Sequence, residues 1–222
     1  MNHSRLFDLS LYVLLDRDFT AGRPLVEVAA AAVRGGATLL QLRDKGNDTR
    51  RFYMDAQAVM AWARVAGIPV IINDRVDIAL AVDADGVHIG ENDLPLFVTR
   101  RLLGAGKIIG ASAGSVMEAE EASAMGADYL GVGPVYEARS TKPDAGPPAG
   151  LDLVRAAAAH TSAPVCGIGG INAGNAAAVI AAGGRGVAVV SAVGMATDIA
   201  AAAHALIQAV RSGQEGRADA RS

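Results

Sequence analysis

The stretch Gly126–Gly133, GADYLGVG, decides the fold. It reads as a helix stop followed at once by a short strand. Gly126 suits the left-handed backbone that ends a helix, and the run behind it lacks the polar alternation of a half-exposed strand. The same pattern recurs at 35–43 (GGATLLQLR), 84–90 (ADGVHIG) and 183–190 (GGRGVAVV). Outward from these four, apolar runs stand at LYVLLD (11–16), TLLQLR (38–43), PVIIND (69–74), GVHIG (86–90), KIIGASA (107–113), YLGVGPV (129–135), PVCGIGG (164–170) and GVAVVSA (186–192). Longer amphipathic segments such as RPLVEVAAAAVRG and TRRFYMDAQAVMAWARVAG lie between them. Continuous apolar runs are what strands buried on both faces look like. Gly35, Gly67, Gly126 and Gly183 mark helix ends, and Pro24 and Pro95 fall near helix starts. Eight strand–helix units with a two-unit repeat predict an α/β fold, a (β/α)8 TIM barrel. A doubly wound open sheet is the alternative. The barrel is expected as a single domain over 1–222, with roughly 1–9 as an N-terminal extension and 212–222 as a disordered tail.

Composition narrows the function. Hydrophobic residues are 51% of the chain but aromatics only 4%, so Ala and Gly pack helices closely on a buried sheet. A net charge of −3 offers no basic surface to nucleic acid. The single cysteine, Cys166, excludes an intrachain disulfide and a thiol zinc cluster. The first apolar run is broken by Asp8 and ended by Asp16, too short to span a bilayer and poor as a signal peptide. A cytoplasmic protein without a membrane partner is expected. The Ala-rich helix faces are compatible with a homo-oligomer.

In a barrel of this kind the site lies at the C-terminal ends of the strands. Those ends carry Gln41, Arg43 and Lys45 after strand two, Asn73 and Asp74 after strand three, and His88, Glu91, Asn92 and Asp93 on and after strand four. Ser112 closes strand five, Arg139, Ser140, Thr141 and Lys142 follow strand six, Gly169-Gly170 end strand seven, and Ser191 ends strand eight. The opposite ends are mostly Gly, Ala and Pro. Arg43, Lys45 and Lys142 converging on one rim suggest a multiply charged anion. The amides near Gly170 and Ser191 suit a phosphate. Asp74 and Asp93 would repel a polyphosphate unless a magnesium ion (Mg2+) bridged them to it.

Each residue also has an ordinary role. Asp74 suits the cap of a helix starting near Arg75. Arg43 and Lys45 have Asp44 and Asp48 close by for surface pairs. The glycines at 169 and 170 suit a plain turn. His88, inside an apolar strand, suits a hydrogen-bonded interior residue, Cys166 a small core residue, and Met54, Met60 and Trp62 helix packing.

The motifs QLRDK (41–45), INDRVDIALAV with ADGVHIG and ENDLP (72–95), IGASA (109–113), GADYLGVGPVY with TKPDAGPPAG (126–150), and GIGGI with GVAVVSA (167–192) resemble thiamin phosphate synthase, in matching order over about residues 10–210. The resemblance implies joining of hydroxymethylpyrimidine diphosphate to a thiazole phosphate, plain or carboxylated, with release of pyrophosphate by a dissociative substitution. It places Gln41, Arg43, Lys45, Asn73, Ser112 and Lys142 around the pyrimidine diphosphate, with Arg43, Lys45, Ser112 and Lys142 catalytic. It makes Asp74 and Asp93 the magnesium ligands. It gives the thiazole phosphate Arg139, Ser140, Thr141, Gly170, Val190 and Ser191. One departure stands out. Arg139 occupies the place of the first Thr in the family's Thr-x-Thr-Lys, with one extra residue before Thr141-Lys142. The partners implied are small phosphorylated substrates. The competing readings are a thiazole tautomerase-like isomerase on the same scaffold and a non-catalytic barrel that binds thiamin intermediates. The first lacks paired metal aspartates and uses Cys and His where this chain has Thr141 and Gly114.

Overall fold

A strand that is apolar on both faces over most of its length needs cover on both, and eight of them separated by helices find it by closing into a ring. A computed structural model describes residues 7–46, 48–138 and 146–219. The chain runs β1 (Leu11–Asp16), α1 (Leu25–Arg34), β2 (Leu39–Arg43), α2 (Thr49–Ala66), β3 (Val70–Asn73), α3 (Val76–Ala81), β4 (Gly86–Ile89) and α4 (Leu96–Leu103). It continues through β5 (Ile108–Ala113), α5 (Val116–Ala124), β6 (Tyr129–Val132), α6 (Gly150–His160), β7 (Val165–Ile168), α7 (Ala176–Ala181), β8 (Gly186–Val189), α8 (Ser191–Gly194) and α9 (Ile199–Asp219). Every strand is parallel to its sequence neighbour, and β8 closes on β1 with Tyr12 opposite Ala188. The expected barrel forms and the open sheet is excluded.

Alternate residues of each strand feed two cores. Outward-facing Val13, Leu40, Ile72, Val87, Ile109 and Leu130 pack under the helices. Inward-facing Tyr12, Leu39, Ile71, Ile108, Tyr129 and Cys166 fill the barrel. Two large rings fit there because glycines stand beside them. A Cβ at Gly110 would fall 2.0 Å from the Tyr129 ring, and one at Gly131 would fall 3.0 Å from His88. Cys166 is the small interior residue expected, and burial pushes its thiol well up, so it stays protonated.

The two-unit repeat has a physical basis at the barrel floor. The residue before each of three even strands closes the first free amide of the preceding odd strand. Thr38 Oγ1 accepts from Leu11 N at 3.0 Å, Asp85 Oδ2 from Val70 N at 2.8 Å and Asp128 Oδ2 from Ile109 N at 2.7 Å. Arg100 then holds Asp128 at 2.6 Å. The floor is therefore not the neutral surface of Gly, Ala and Pro that the sequence suggests.

Several boundaries move for local reasons. The helix end near Gly35 takes its left-handed residue one place later, at Gly36. Gly35 is required instead by contact, since a Cβ there would lie 2.3 Å from the Ala200 carbonyl. Strand eight stops at Val189, and Ser191 opens α8 rather than ending a strand. Met54 is exposed, two positions round α2 from buried Phe52, while Met60 and Trp62 do pack. Phe7 stacks edge-on to Tyr129 with centroids 5.7 Å apart and Leu9 is buried, so residues 7–9 seal the floor. Residues 212–219 are helical, not a frayed tail. Among the described residues no helix is long and apolar enough to cross a membrane.

Candidate active site

The C-terminal ends of β1 to β4 gather charge. The last residue of β1, Asp16, is buried and lies opposite Arg43 in the sheet. The Arg43 guanidinium donates to the Asp16 carboxylate. Beyond β2, Lys45 leaves the strand and donates to Asp74 Oδ2 at 2.5 Å. The ordinary pairings with Asp44 and Asp48 do not form, because Asp48 caps α2 and Asp44 faces Arg51.

Asp74 ends its strand by turning left-handed, φ 62°, with its amide donating to the His88 carbonyl at 2.8 Å. A carboxylate turned this way points across the mouth and not along the next helix. Helix α3 starts behind Arg75 with no side-chain cap, so the capping role for Asp74 is overturned. Asp93 reaches back over β4 to accept from Gly90 N at 2.7 Å. Burial first, and then the facing Asp74 carboxylate, push the Asp93 carboxyl above its ordinary value, against the Gly90 bond that lowers it. Two crowded carboxylates, one reluctant to ionise, fit a hard divalent cation that takes its other ligands from phosphate oxygens and water. Among the described residues no cluster of three or more acidic, His or Cys side chains makes a fuller cage. Asn73 is buried at the end of β3, beside this pair.

Below the charged rim lies a neutral polar line. Gln41 Nε2 donates to the Tyr12 hydroxyl at 2.6 Å, and that hydroxyl lies 2.8 Å from the Tyr129 hydroxyl. Tyr129 is 3.0 Å from His88 Nδ1, and His88 Nε2 is 3.0 Å from Ser112 Oγ. Burial pushes the imidazole down to about 4, so His88 is neutral at neutral pH, the hydrogen-bonded interior residue the sequence suggests. Burial likewise raises both phenols far above their ordinary value. Ser112 is exposed at the mouth. Gln41 is buried, and its Oε1 has no partner.

The other half of the mouth is backbone. Gly169 and Gly170 follow β7 with φ of 99° and 63°. A Cβ on Gly170 would fall 2.5 Å from the Glu137 carbonyl, so the loops after β6 and β7 touch there and only glycine fits. Val190 and Ser191 stand between β8 and α8. Arg139, Ser140, Thr141 and Lys142 lie outside the described residues.

Sequence reasoning missed three members of this site. Asp16 passed as the end of an apolar run, and Tyr12 and Tyr129 drew no separate reading within theirs. The available signal was parity: Tyr12, Leu14 and Asp16 share one face of β1, and Tyr129 shares its face with Gly131, where a strand makes room for a ring.

The chain matches the family model described as thiamine monophosphate synthase over residues 11–193. A thiamine-phosphate synthase of Chloroflexus aurantiacus is 49% identical over 215 residues, 97% of this chain and 99% of that one. One from Moorella thermoacetica is 51% identical over 200 residues, 90% and 95% of the two chains. A solved thiamine phosphate pyrophosphorylase from Pyrococcus furiosus superposes with a TM-score of 0.84 at 40% identity, covering 92% of this chain and 96% of that one.

Proposed function

The chain belongs to the thiamine monophosphate synthase family, whose named relatives are transferases, and from that premise we propose how its mouth works. Hydroxymethylpyrimidine diphosphate binds over the barrel with its ring toward Gln41 and its diphosphate toward Arg43, Lys45, Asn73, Ser112 and Lys142. The thiazole phosphate, plain or carboxylated, lies across from it, its phosphate on the amides near Gly170, Val190 and Ser191 and on the segment Arg139, Ser140 and Thr141. The bond from the pyrimidine methylene to the diphosphate oxygen breaks first, its electron pair leaving with pyrophosphate. The thiazole nitrogen then supplies the pair for the new carbon–nitrogen bond, giving thiamin phosphate.

A dissociative step of this kind depends on stabilising the leaving group more than on a side-chain nucleophile. What supports the reading is the charge set at one point of the rim, Lys45 on Asp74 with Asp93 crowded beside it. The Lys45 and Arg43 side chains, held at the rim before the substrate arrives, favour the charge that develops on pyrophosphate. Magnesium, which Asp74 and Asp93 would hold, supplies Lewis-acid neutralisation of that charge when bound. Asp16 keeps Arg43 aligned, and Asp74 keeps Lys45 at the rim until the diphosphate displaces the contact. A cytoplasmic enzyme acting on small phosphorylated molecules completes the reading.

The test is a coupled assay on purified protein, following thiamin phosphate and pyrophosphate with and without magnesium. Equal amounts of both products, appearing only with the metal, are expected. Binding of both substrates by calorimetry without any product would overturn synthesis in favour of a carrier.

A further inference from the structure

The polar line inside the barrel has a property that no single contact has. It is unbranched and joins five strands: Gln41 on β2, Tyr12 on β1, Tyr129 on β6, His88 on β4 and Ser112 on β5, with links of 2.6, 2.8, 3.0 and 3.0 Å. Tyr12 and Tyr129 are buried, so no solvent reaches the middle of it. Each inner member, two phenols and one neutral imidazole, has one hydrogen to give and one lone pair engaged in the line. Two proton arrangements satisfy every link. In the first, Gln41 donates to Tyr12, Tyr12 to Tyr129, Tyr129 to His88 Nδ1, and His88 Nε2 to Ser112. The Ser112 hydrogen is then free to point into the mouth, and Gln41 is left with a carbonyl oxygen to offer. In the second, the Gln41 amide is turned over and every donor reverses. Ser112 then gives its hydrogen inward, and Gln41 offers amide hydrogens. Any mixture sets two hydrogens or two lone pairs against each other in a dry interior, which is costly.

The structure has the first arrangement at the Gln41 end, and its Gln41 Oε1 is enclosed and unpartnered. An enclosed acceptor without a donor marks a place that a ligand hydrogen can fill. We propose that Tyr12, Tyr129 and His88 form a positioning relay that ties the hydrogen-bonding sense of Gln41 to that of Ser112, so that selection of an amino-substituted ring at one end aims a hydroxyl donor at the leaving group from the other. This rests on the placement of the pyrimidine diphosphate given above. An amino group on the ring donates to Gln41 Oε1 and holds the first arrangement, in which Ser112 donates to a phosphate oxygen. A ring with a carbonyl in the amino position requires the second arrangement and withdraws the Ser112 hydrogen. The wrong ring is thus rejected twice, once by Gln41 directly and once through Ser112. None of the three relay residues needs to touch the substrate.

Tyr129→Phe removes the central hydroxyl and keeps the ring. The measurement is the ratio of dissociation constants, by calorimetry with magnesium, for hydroxymethylpyrimidine diphosphate and its deaminated oxo analogue. With the relay broken, Gln41 turns over without consequence for Ser112, so the preference for the amino form should fall about tenfold, the worth of one well-placed hydrogen bond. The Michaelis constant for thiazole phosphate should not change. If Tyr129→Phe does not fold, Tyr12→Phe breaks the same line one link earlier and reads the same ratio. A merely structural role would weaken both ligands equally, and an unchanged ratio would overturn the relay. Gln41→Ala and Ser112→Ala separate the two levels. If they shift the ratio while Tyr129→Phe does not, the relay fails and the substrate placement stands. If neither alters binding, the placement fails and takes the relay with it.

Discussion

At the scale of single residues, Asp74 shows how backbone conformation assigns a role. An aspartate after a strand and before a helix ordinarily caps the helix. The left-handed φ of 62° turns it toward Lys45 and Asp93 instead. Asn caps a helix as well as Asp does, so Asp74→Asn separates the two roles cleanly. The expected result is a ten- to hundredfold loss of turnover with a raised magnesium requirement, on the scale of removing one electrostatic stabiliser. Stability should change by no more than about 0.5 kcal/mol, because no cap is lost. Magnesium titrations of initial rate, beside urea unfolding of both proteins, check it. A silent substitution would return Asp74 to a structural part. The candidate positions themselves were legible as polar residues at strand ends. The turn that aims Asp74 was not, because a positive φ at a residue other than Gly is set by the tertiary bond from its amide to His88.

At the scale of elements, the barrel separates a mouth that does chemistry from a floor that holds the ring closed. The floor works through Thr38, Asp85 and Asp128, each satisfying the first otherwise free amide of the strand next door. This is why the sequence repeats every two units: odd strands need a donor satisfied and even strands bring the acceptor. Asp128→Ala leaves the buried Ile109 amide unpaired and strips Arg100 of its carboxylate partner, and should cost about 1–3 kcal/mol. Asp128→Asn keeps an acceptor and should cost less than half as much. Both should retain wild-type kcat and KM, since the floor lies at the far end from the rim. Denaturant midpoints with parallel kinetics decide it, and a kinetic defect in either variant would show that floor and mouth are coupled.

At the scale of the whole molecule, closure involves the C-terminal helix as well as the ring of strands. Gly213 packs so tightly on α7 that a Cβ would lie 2.8 Å from the Ala177 carbonyl. Arg217 donates to the Ile180 and Gly184 carbonyls at 3.4 and 3.3 Å, the first in the last turn of α7, where a cation is favourable. Ending the chain after Arg211 should therefore lower stability, by on the order of 1–2 kcal/mol for the lost bonds and cover. A tail, as the composition of 212–222 suggested, would give no change. A melting curve of the truncated chain distinguishes them.

The sequence by itself determined the strand–helix alternation and pointed to the barrel, and closure of β8 on β1 excluded the open sheet. Eight apolar runs, each spaced by a helix, need burial on both faces, and a closed parallel barrel provides it for every one without leaving an edge. It also pointed to the end of the barrel that would carry the chemistry, because the cationic, carboxylate and amide side chains able to meet an anion and its metal collect after strands two to six. Only the tertiary structure decided which of those residues meet. Arg43 finds Asp16, 27 positions away, and Tyr12 finds Tyr129 across 117 positions. Pattern along a chain reports which face a residue takes, since that depends on the local period of the strand. Partners across a barrel depend on closure and register, which belong to the whole ring.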